Sequence, residues 1–272
     1  MWFEGLGAFG GADGDGNAAN LDRSIAGVIG GADMDFDETW RGGLAAAYTR
    51  TIVHEDVRAS RASSNDVSLA LYGSGRFDAV SLRAGAAYTW NDIDTKRAVM
   101  FPGFAEAEAA HYHGRDAQAF GEIGYALRED SFVLEPFGDI AYVNLDTDAF
   151  AEKGGAAALS ASARTFETAF TTLGGRADGI VGDIAGAPVH LNLTLGWVHA
   201  FGDVLPGMTF AFLSGGAPFT VLGTPLARDS ALVETGFGMD ITESARVSFL
   251  YSGELAAHAR DNSFKAALIW NF

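Results

Sequence analysis

The last nine residues of the chain, Phe264–Phe272, have the pattern of a β-strand with one strongly apolar face. Successive side chains of a strand point to opposite faces. A water-soluble protein seldom exposes three aromatic side chains on one strand face, whereas the outer face of an outer-membrane β-barrel meets lipid and concentrates aromatic residues at the membrane interfaces. The segment therefore favours a membrane β-barrel. Its apolar face consists of Phe264, Ala266, Leu268, Trp270 and Phe272.

The composition suits a chain that crosses a membrane with strands. The hydrophobic share is 48%, yet no stretch approaches the roughly 18 consecutive apolar residues of a membrane helix. Barrel strands escape hydropathy analysis because only every second residue faces lipid. The chain has no Cys, which excludes a disulfide framework and thiolate metal sites and fits a protein that passes through an oxidising periplasm.

The negative net charge argues against two classes of partner, nucleic acid and an anionic membrane surface. The formal charge is −17 at pH 7, whereas a nucleic-acid-binding protein needs a basic surface. An acidic chain is also a poor match for a peripheral protein held on anionic lipid. We therefore expect no nucleic-acid partner, and outer-membrane lipid as the surroundings of an integral barrel.

Alternating segments recur along the whole chain and predict twelve strands. Twelve is an even number, as in bacterial outer-membrane barrels, and most segments reach the about 9–11 residues that a tilted strand needs to cross a bilayer. The segments are 1–10, 23–34, 39–51, 65–77, 79–92, 115–127, 131–145, 165–180, 187–200, 229–241, 245–255 and 262–272.

The connections between these strands alternate in length. Short turns on one side of a barrel and long loops on the other are the layout of outer-membrane barrels, with the turns in the periplasm. A β-sandwich has no reason to sort its loops by length. The short connections are Asp35–Glu38, Asp78, Arg128–Asp130, Val181–Gly186 and Thr242–Ser244. The longer ones include Gly11–Asp22, Ile93–Gly114, Asp146–Arg164 and Gly202–Arg228.

We therefore predict an all-β fold, a transmembrane antiparallel up-and-down β-barrel of twelve strands with short periplasmic turns and long extracellular loops. Residues 1–272 would form one such domain, integral to a bacterial outer membrane, with both termini on the periplasmic side. Eight strands are about the size at which side chains fill a barrel, so a twelve-stranded lumen is too wide for an apolar core. We therefore predict a water-filled lumen and an outer face that contacts lipid.

The same alternation predicts which side chains meet lipid and which line the lumen. On the ninth strand the lipid-facing residues are predicted to be Val189, Leu191, Leu193, Leu195 and Trp197. Charged residues on the other faces would pair across strands to rigidify a wet lumen, and they could also hold or guide a threaded segment. The predicted lumen-facing charges are Arg41, Arg83, Glu122, Glu135, Asp139, Arg176, Glu234, Asp240, Arg246 and Lys265.

Three motifs suggest other chemistry, but each lacks a required part. Gly5–Gly10 fits G-x-G-x-x-G, yet no helix-forming stretch follows it, as a dinucleotide site requires. Asp13–Asn17 resembles a Ca²⁺ loop but lacks the downstream Glu of an EF-hand. His111 and His113 are expected in a long loop with no third ligand evident. No catalytic residue, metal site or cofactor is predicted, and the chain is not expected to be an enzyme.

Several stretches in the expected order resemble the translocator domain of autotransporters, the type V secretion family. The stretches that carry the resemblance cover nearly the whole chain. They are Trp2–Gly10 with Gly14-Asp15-Gly16-Asn17, Leu82–Trp90, Phe120–Tyr125, Leu134–Phe137, Gly196–Asp203 and Tyr251–Phe272.

This resemblance implies an outer-membrane pore through which an N-terminal passenger is exported to the cell surface. It also implies a helix that threads the lumen and joins the barrel to the passenger. Neither is found in this sequence, and no secretory signal is visible at Met1, so we expect this chain to be part of a longer protein. The terminal segment, Phe264–Phe272, resembles the signal read by the barrel-assembly machinery. The barrel is expected to be a monomer.

Two other functions remain open from the sequence. The chain could be a porin-like passive channel or a structural surface barrel, with Ile93–Gly114 or Gly202–Arg228 constricting the pore. A soluble ligand-binding barrel would instead have an apolar interior and dissolve without detergent. A signal peptide, a repetitive β-rich passenger and a short helical linker upstream would favour the translocator.

Overall fold

The computed structural model describes residues 1–14, 19–55, 60–129, 132–184 and 187–270. Twelve long strands, here β1 to β12 in chain order, make up most of it. They are Trp2–Ala12, Leu21–Asp35, Trp40–Glu55, Ser60–Phe77, Val80–Phe101, Phe104–Tyr125, Phe132–Thr147, Arg164–Ile184, Ala187–Gly202, Asp229–Thr242, Ala245–Leu255 and Ala259–Trp270.

The twelve strands form one closed antiparallel barrel in which every strand pairs with its neighbours in sequence. The ring closes where β1 pairs with β12, in a register that runs from Trp2–Ile269 to Ala12–Ala259. Closure leaves no unpaired strand edge, the condition that lipid imposes on a spanning sheet. The predicted all-β, twelve-stranded, up-and-down barrel is confirmed.

The largest departure from the predicted strands is the β5–β6 hairpin. Ile93–Gly114 was expected to be a loop, which is wrong, because β5 and β6 continue through it as paired strands of 22 residues each. Only Pro102 and Gly103 form the turn, where Gly103 has φ +85° and so accepts a conformation that favours glycine. The extension lacks a lipid-facing apolar row because it lies beyond the membrane, so alternation did not mark it.

Two of the long connections also contain strands. Short segments of the β7–β8 and β9–β10 connections pair into a separate four-stranded sheet. A further two-residue strand, Leu127–Arg128, pairs with β7 in the β6–β7 turn. We call the four-stranded sheet the loop sheet, and its strands are Phe150–Ala151, Leu159–Ala161, Gly207–Phe212 and Phe219–Leu222.

Burial in the barrel is reversed relative to a water-soluble protein. Large apolar side chains such as Leu44, 68% exposed, cover the outside of the described residues, whereas polar residues such as Asp66, 7% exposed, are buried within. A soluble fold buries the former and exposes the latter. Lipid on the outside and water on the inside explain both observations. Among the described residues, no helix is long and apolar enough to cross a membrane.

Aromatic side chains mark the two ends of the apolar outer surface. On β3, Trp40 and Tyr48 are eight residues apart and both are exposed. Such a spacing covers about 26 Å along a strand, or about 20 Å along the membrane normal at the usual tilt. Trp40 packs edge-on against Phe77 at the turn end, and Tyr88 packs against Trp90 at the loop end. These rings form the two girdles expected of a membrane barrel.

Candidate functional site

The concave face of the barrel is identified by contacts that reach over one or two intervening strands. The Trp2 indole on β1 donates a 2.7 Å hydrogen bond to the Tyr72 hydroxyl on β4. The Arg176 guanidinium on β8 lies 2.7 Å from the Glu122 carboxylate on β6. Side chains converge on the inner face of a curved sheet and diverge on its outer face, so these four residues line the lumen.

Following the strand register around the ring assigns the faces of the remaining strands. All ten charged residues predicted for the lumen share the face of Arg176. These residues are Arg41, Arg83, Glu122, Glu135, Asp139, Arg176, Glu234, Asp240, Arg246 and Lys265. The five predicted lipid-facing residues of β9 lie on the opposite, convex face: Val189, Leu191, Leu193, Leu195 and Trp197.

Four of these charges meet in one cluster, which we call the lumen quartet: Arg83, Glu122, Glu135 and Arg176. Arg83 donates to Glu122 and, at 2.7 Å, to Glu135. Arg176 donates to Glu122 at 2.7 Å and to Glu135 at 3.1 Å. Each arginine therefore bridges both carboxylates, and the quartet ties together β5, β6, β7 and β8.

One arginine of the quartet, Arg176, packs against an aromatic ring. The Arg176 guanidinium lies 4.2 Å from the centre of the Phe137 ring, a cation–π contact. The Phe137 ring in turn covers Gly174, where a Cβ atom would lie 2.8 Å from the ring and 2.6 Å from the Leu195 carbonyl oxygen. A side chain at Gly174 would therefore displace the ring that carries Arg176.

Of the other predicted lumen charges, Asp139 borders the quartet, and most of the rest lie toward the turn end. Arg41 pairs with Asp33 at 2.9 Å, and Asp33 also accepts a 2.9 Å hydrogen bond from the Tyr72 hydroxyl. Arg246 pairs with Asp240 at 2.6 Å. Three further residues complete the list: Lys265 lies 3.5 Å from Glu4, Asp139 faces Glu122 and Thr172 in register, and Glu234 faces Thr194 and Ser252.

A further polar cluster surrounds Asp66 on β4 and was not singled out in the sequence. Its carboxylate accepts hydrogen bonds from Thr51 at 3.3 Å, from Asn91 at 3.0 Å and from Ser64. The even-numbered residues around Asp66 are polar, and that alternation could have identified the cluster. These bonds connect β4 to both of its neighbours, β3 and β5.

The loop sheet is fastened to the inner face of the β5–β6 extension. Arg97 makes two hydrogen bonds with the Glu152 carboxylate, at 2.8 and 2.6 Å, and a third with the Ala157 carbonyl oxygen at 2.6 Å. The Tyr112 and Phe150 rings stack with centroids 4.2 Å apart. No local sequence signal predicts this contact, because Arg97 and Glu152 are 55 residues apart in the chain.

The β9–β10 connection also reaches the loop end of the lumen. Its segment 224–227 lines a cavity together with inward-facing residues of six strands, among them Arg23, Phe170, Glu254 and Asp261. The two long connections therefore occupy part of the extracellular end of the lumen. The hypothesis that Gly202–Arg228 constricts a pore has this contact as its structural basis.

The terminal strand presents its predicted aromatic row to the outside. Phe264 and Trp270 are exposed on the convex face of β12, along with Ala266 and Leu268. The Phe264 ring lies 6.1 Å from Phe9 on β1 and 5.2 Å from Tyr251 on β11, centroid to centroid. Phe272 lies outside the described residues, so the row as a recognition signal stays a prediction.

The remaining sequence motifs are placed as follows. Gly5–Gly10 lies within β1 and continues into further strand rather than into a helix. Of the Asp13–Asn17 segment, only Asp13 and Gly14 belong to the described residues. His111 and His113 were expected in a loop without a third ligand. The loop expectation is wrong, because the two residues lie on β6, and Asp92 of β5 lies beside them.

Comparison with known proteins agrees with this geometry. The family model described as Autotransporter beta-domain matches residues 1–252. An extracellular serine protease of Serratia marcescens is 36% identical over 271 residues, which make up 100% of this chain and 26% of that protein. The chain therefore spans about a quarter of the length of the curated relatives that it matches over its whole extent.

Two solved structures share the fold. The translocator domain of the autotransporter NalP from Neisseria meningitidis superposes with a TM-score of 0.77 at 14% identity, over 100% of this chain and 87% of that one. The β-domain of the Bordetella autotransporter BrkA superposes with a TM-score of 0.74 at 15% identity, over 100% of this chain and 98% of that one.

Proposed function

The chain belongs to the autotransporter β-domain family and is an integral outer-membrane translocator for a passenger domain, and we propose that its lumen is the path by which the passenger reaches the cell surface. The observation that carries this proposal is the polar inner face of a closed barrel. Charged and hydroxyl side chains line the lumen from Arg246 at the turn end to Arg97 at the loop end. A polar wall of this kind lets an extended peptide keep its backbone hydrated during passage.

The chain is a transport unit, and we propose that any catalytic activity of the full protein belongs to its passenger. The Serratia marcescens relatives are named as extracellular serine proteases, and about three quarters of their length lies outside the match. A protease passenger is consistent with that difference. We further propose that residues 1–272 form a single domain that inserts as a monomer with the help of the barrel-assembly machinery.

The proposal is tested by asking whether a passenger touches the lumen while it crosses. A signal peptide, a reporter passenger and a helical linker would be fused ahead of residue 1 and expressed in a Gram-negative host. A disulfide-closed loop in the reporter would arrest export midway. A photo-crosslinking amino acid would then replace Asn192, which faces the lumen, or Leu193, its neighbour on the convex face.

We expect crosslinks between the arrested reporter and position 192, and none from position 193. Without the disulfide, the reporter should become accessible to protease added to intact cells. Surface display without crosslinks from position 192 would mean that the passenger takes another path. An inserted, ion-conducting barrel that leaves the reporter in the periplasm would favour the porin-like channel instead.

Deleting Phe272 is expected to reduce barrel insertion in cells while leaving refolding into detergent largely unchanged. An assembly factor would read the aromatic row before β12 pairs with β1, whereas a single terminal side chain contributes little to the closed barrel. Insertion would be measured by surface proteolysis and refolding by far-UV circular dichroism.

Phe264→Ala is the matched comparison, because its ring packs against both neighbouring strands. This variant should weaken the barrel in both assays. If the deletion of Phe272 lowered insertion and refolding equally, the side chain would have a structural role and the signal hypothesis would be wrong.

A further inference from the structure

A group of metal-ligating side chains lies on the β5–β6 extension, outside the lumen. Asp92 is directly opposite His113 in the strand register, and Asp94 is opposite His111. One ligand atom each from Asp92, His111 and His113 lies within 4.8 Å of the other two. All three side chains are exposed on the convex face, so solvent and ions reach them freely.

The spacing of these atoms matches a tetrahedral metal site. The His111 Nδ1 atom is 3.4 Å from an Asp92 carboxylate oxygen and 3.2 Å from one of Asp94. Ligands bonded to Zn²⁺ at about 2.0–2.1 Å in a tetrahedron are about 3.3–3.4 Å from one another. The two distances from His111 are therefore compatible with two edges of such a site, and a ligand atom of His113 lies within 4.8 Å of those of His111 and Asp92.

The strand geometry explains why the group is assembled here. His111 and His113 are two residues apart on one strand and therefore point to the same side. Asp92 and Asp94 have the same spacing on the paired strand. A metal ion held between them would connect the two arms of the hairpin.

The position of the group separates it from the translocation path. On the convex face of β5, Tyr88 and Trp90 form part of the loop-end aromatic girdle, and Asp92 is the next outward residue. The group therefore lies just beyond the membrane interface, on the cell-surface side. Ions at this level come from the external medium.

We propose that Asp92, His111 and His113 form a binding site for a divalent transition-metal ion of the Zn²⁺ class, with Asp94 as a fourth ligand or as a hydrogen-bonding partner of His111. Two imidazoles with one or two carboxylates suit Zn²⁺ and its neighbours in the first transition row, whereas Ca²⁺ and Mg²⁺ prefer all-oxygen sites. The two carboxylates also balance the charge of the ion. Binding fastens the base of the hairpin against which the loop sheet packs.

Zn²⁺ titration of the folded barrel in detergent tests the site, using protein without a polyhistidine tag. Isothermal titration calorimetry should give one Zn²⁺ per chain with a dissociation constant in the micromolar range, and Mg²⁺ should give no comparable signal. His111→Ala, His113→Ala and Asp92→Asn should each weaken Zn²⁺ binding at least about tenfold. Loss of a residue that only hydrogen-bonds to a metal ligand already lowers metal affinity by about that factor. Co²⁺ in place of Zn²⁺ should give the visible absorption of a tetrahedral ion.

His199→Ala is the matched control. His199 also lies beside a carboxylate on the convex face, 2.7 Å from Asp229, but as one imidazole with one carboxylate. This variant should keep the affinity of the parent protein. Binding of equal strength in the His111→Ala/His113→Ala double variant, or no Zn²⁺ binding by the correctly folded parent, would overturn the proposal.

Discussion

Replacing Leu193 with Arg is expected to lower the free energy of unfolding by about 2–4 kcal/mol, the cost of a cationic side chain on the lipid face near the bilayer midplane. Leu193 is 40% exposed on the convex face, opposite Ala177 and Thr235 on the adjacent strands. Lipid offers the guanidinium neither water nor a counter-ion at this depth. Denaturant unfolding in lipid vesicles, followed by Trp fluorescence, would measure the change.

Asn192→Arg is the matched substitution one residue away. Asn192 faces the lumen, and in the strand register it lies opposite Asp178. A new guanidinium there would remain in water and face a carboxylate, so we expect a change in unfolding free energy close to zero. Equal costs at positions 192 and 193 would show that the inner and outer faces are wrongly assigned.

Replacing Arg176 with Met is expected to lower the free energy of unfolding by about 1.5–3 kcal/mol, the range for hydrogen bonds to charged groups. The methionine keeps the packing on Phe137 but leaves Glu122 and Glu135 with Arg83 as their shared partner. The cost should be below that of breaking a fully buried pair, because 27% of the Arg176 side chain is open to the lumen.

Two further variants identify the source of this effect. In a double-mutant cycle, Glu122→Gln combined with Arg176→Met should cost less than the sum of the single changes, because one charge of each sign is removed. Arg246→Met breaks the Arg246–Asp240 pair, whose side chains are 40% and 38% exposed, and should cost about 0–1 kcal/mol. Equal losses for Arg176→Met and Arg246→Met would mean that the quartet adds no more stability than a solvated surface pair.

Much of the membrane-spanning part of the fold could be predicted because lipid imposes a simple rule. Each strand must present apolar side chains outward at every second position, so alternation indicates both the strand and its faces. The predicted strand 245–255 agrees with β11, Ala245–Leu255, at both ends. The same rule put Arg83 and Arg176 on the concave face, because charges avoid lipid.

Alternation of apolar and polar residues does not identify a strand when both of its faces meet water. That is why Ile93–Gly114 reads as a loop in the sequence although it is a paired hairpin, and why the loop sheet gave no signal. There the backbone pairing is decided by contacts between distant segments, such as Arg97 with Glu152. Alternation cannot report such contacts, since it describes one strand at a time.

The sequence by itself indicated the class of protein, the number of barrel strands and the face on which ten charged residues were predicted to lie. The tertiary structure alone decided which of those charges meet. Arg176 reaches Glu122 across the intervening strand β7 because the barrel is curved and its strands are staggered in register. Curvature and stagger belong to the closed ring of twelve strands. They are properties of the assembled sheet, and no single strand encodes them.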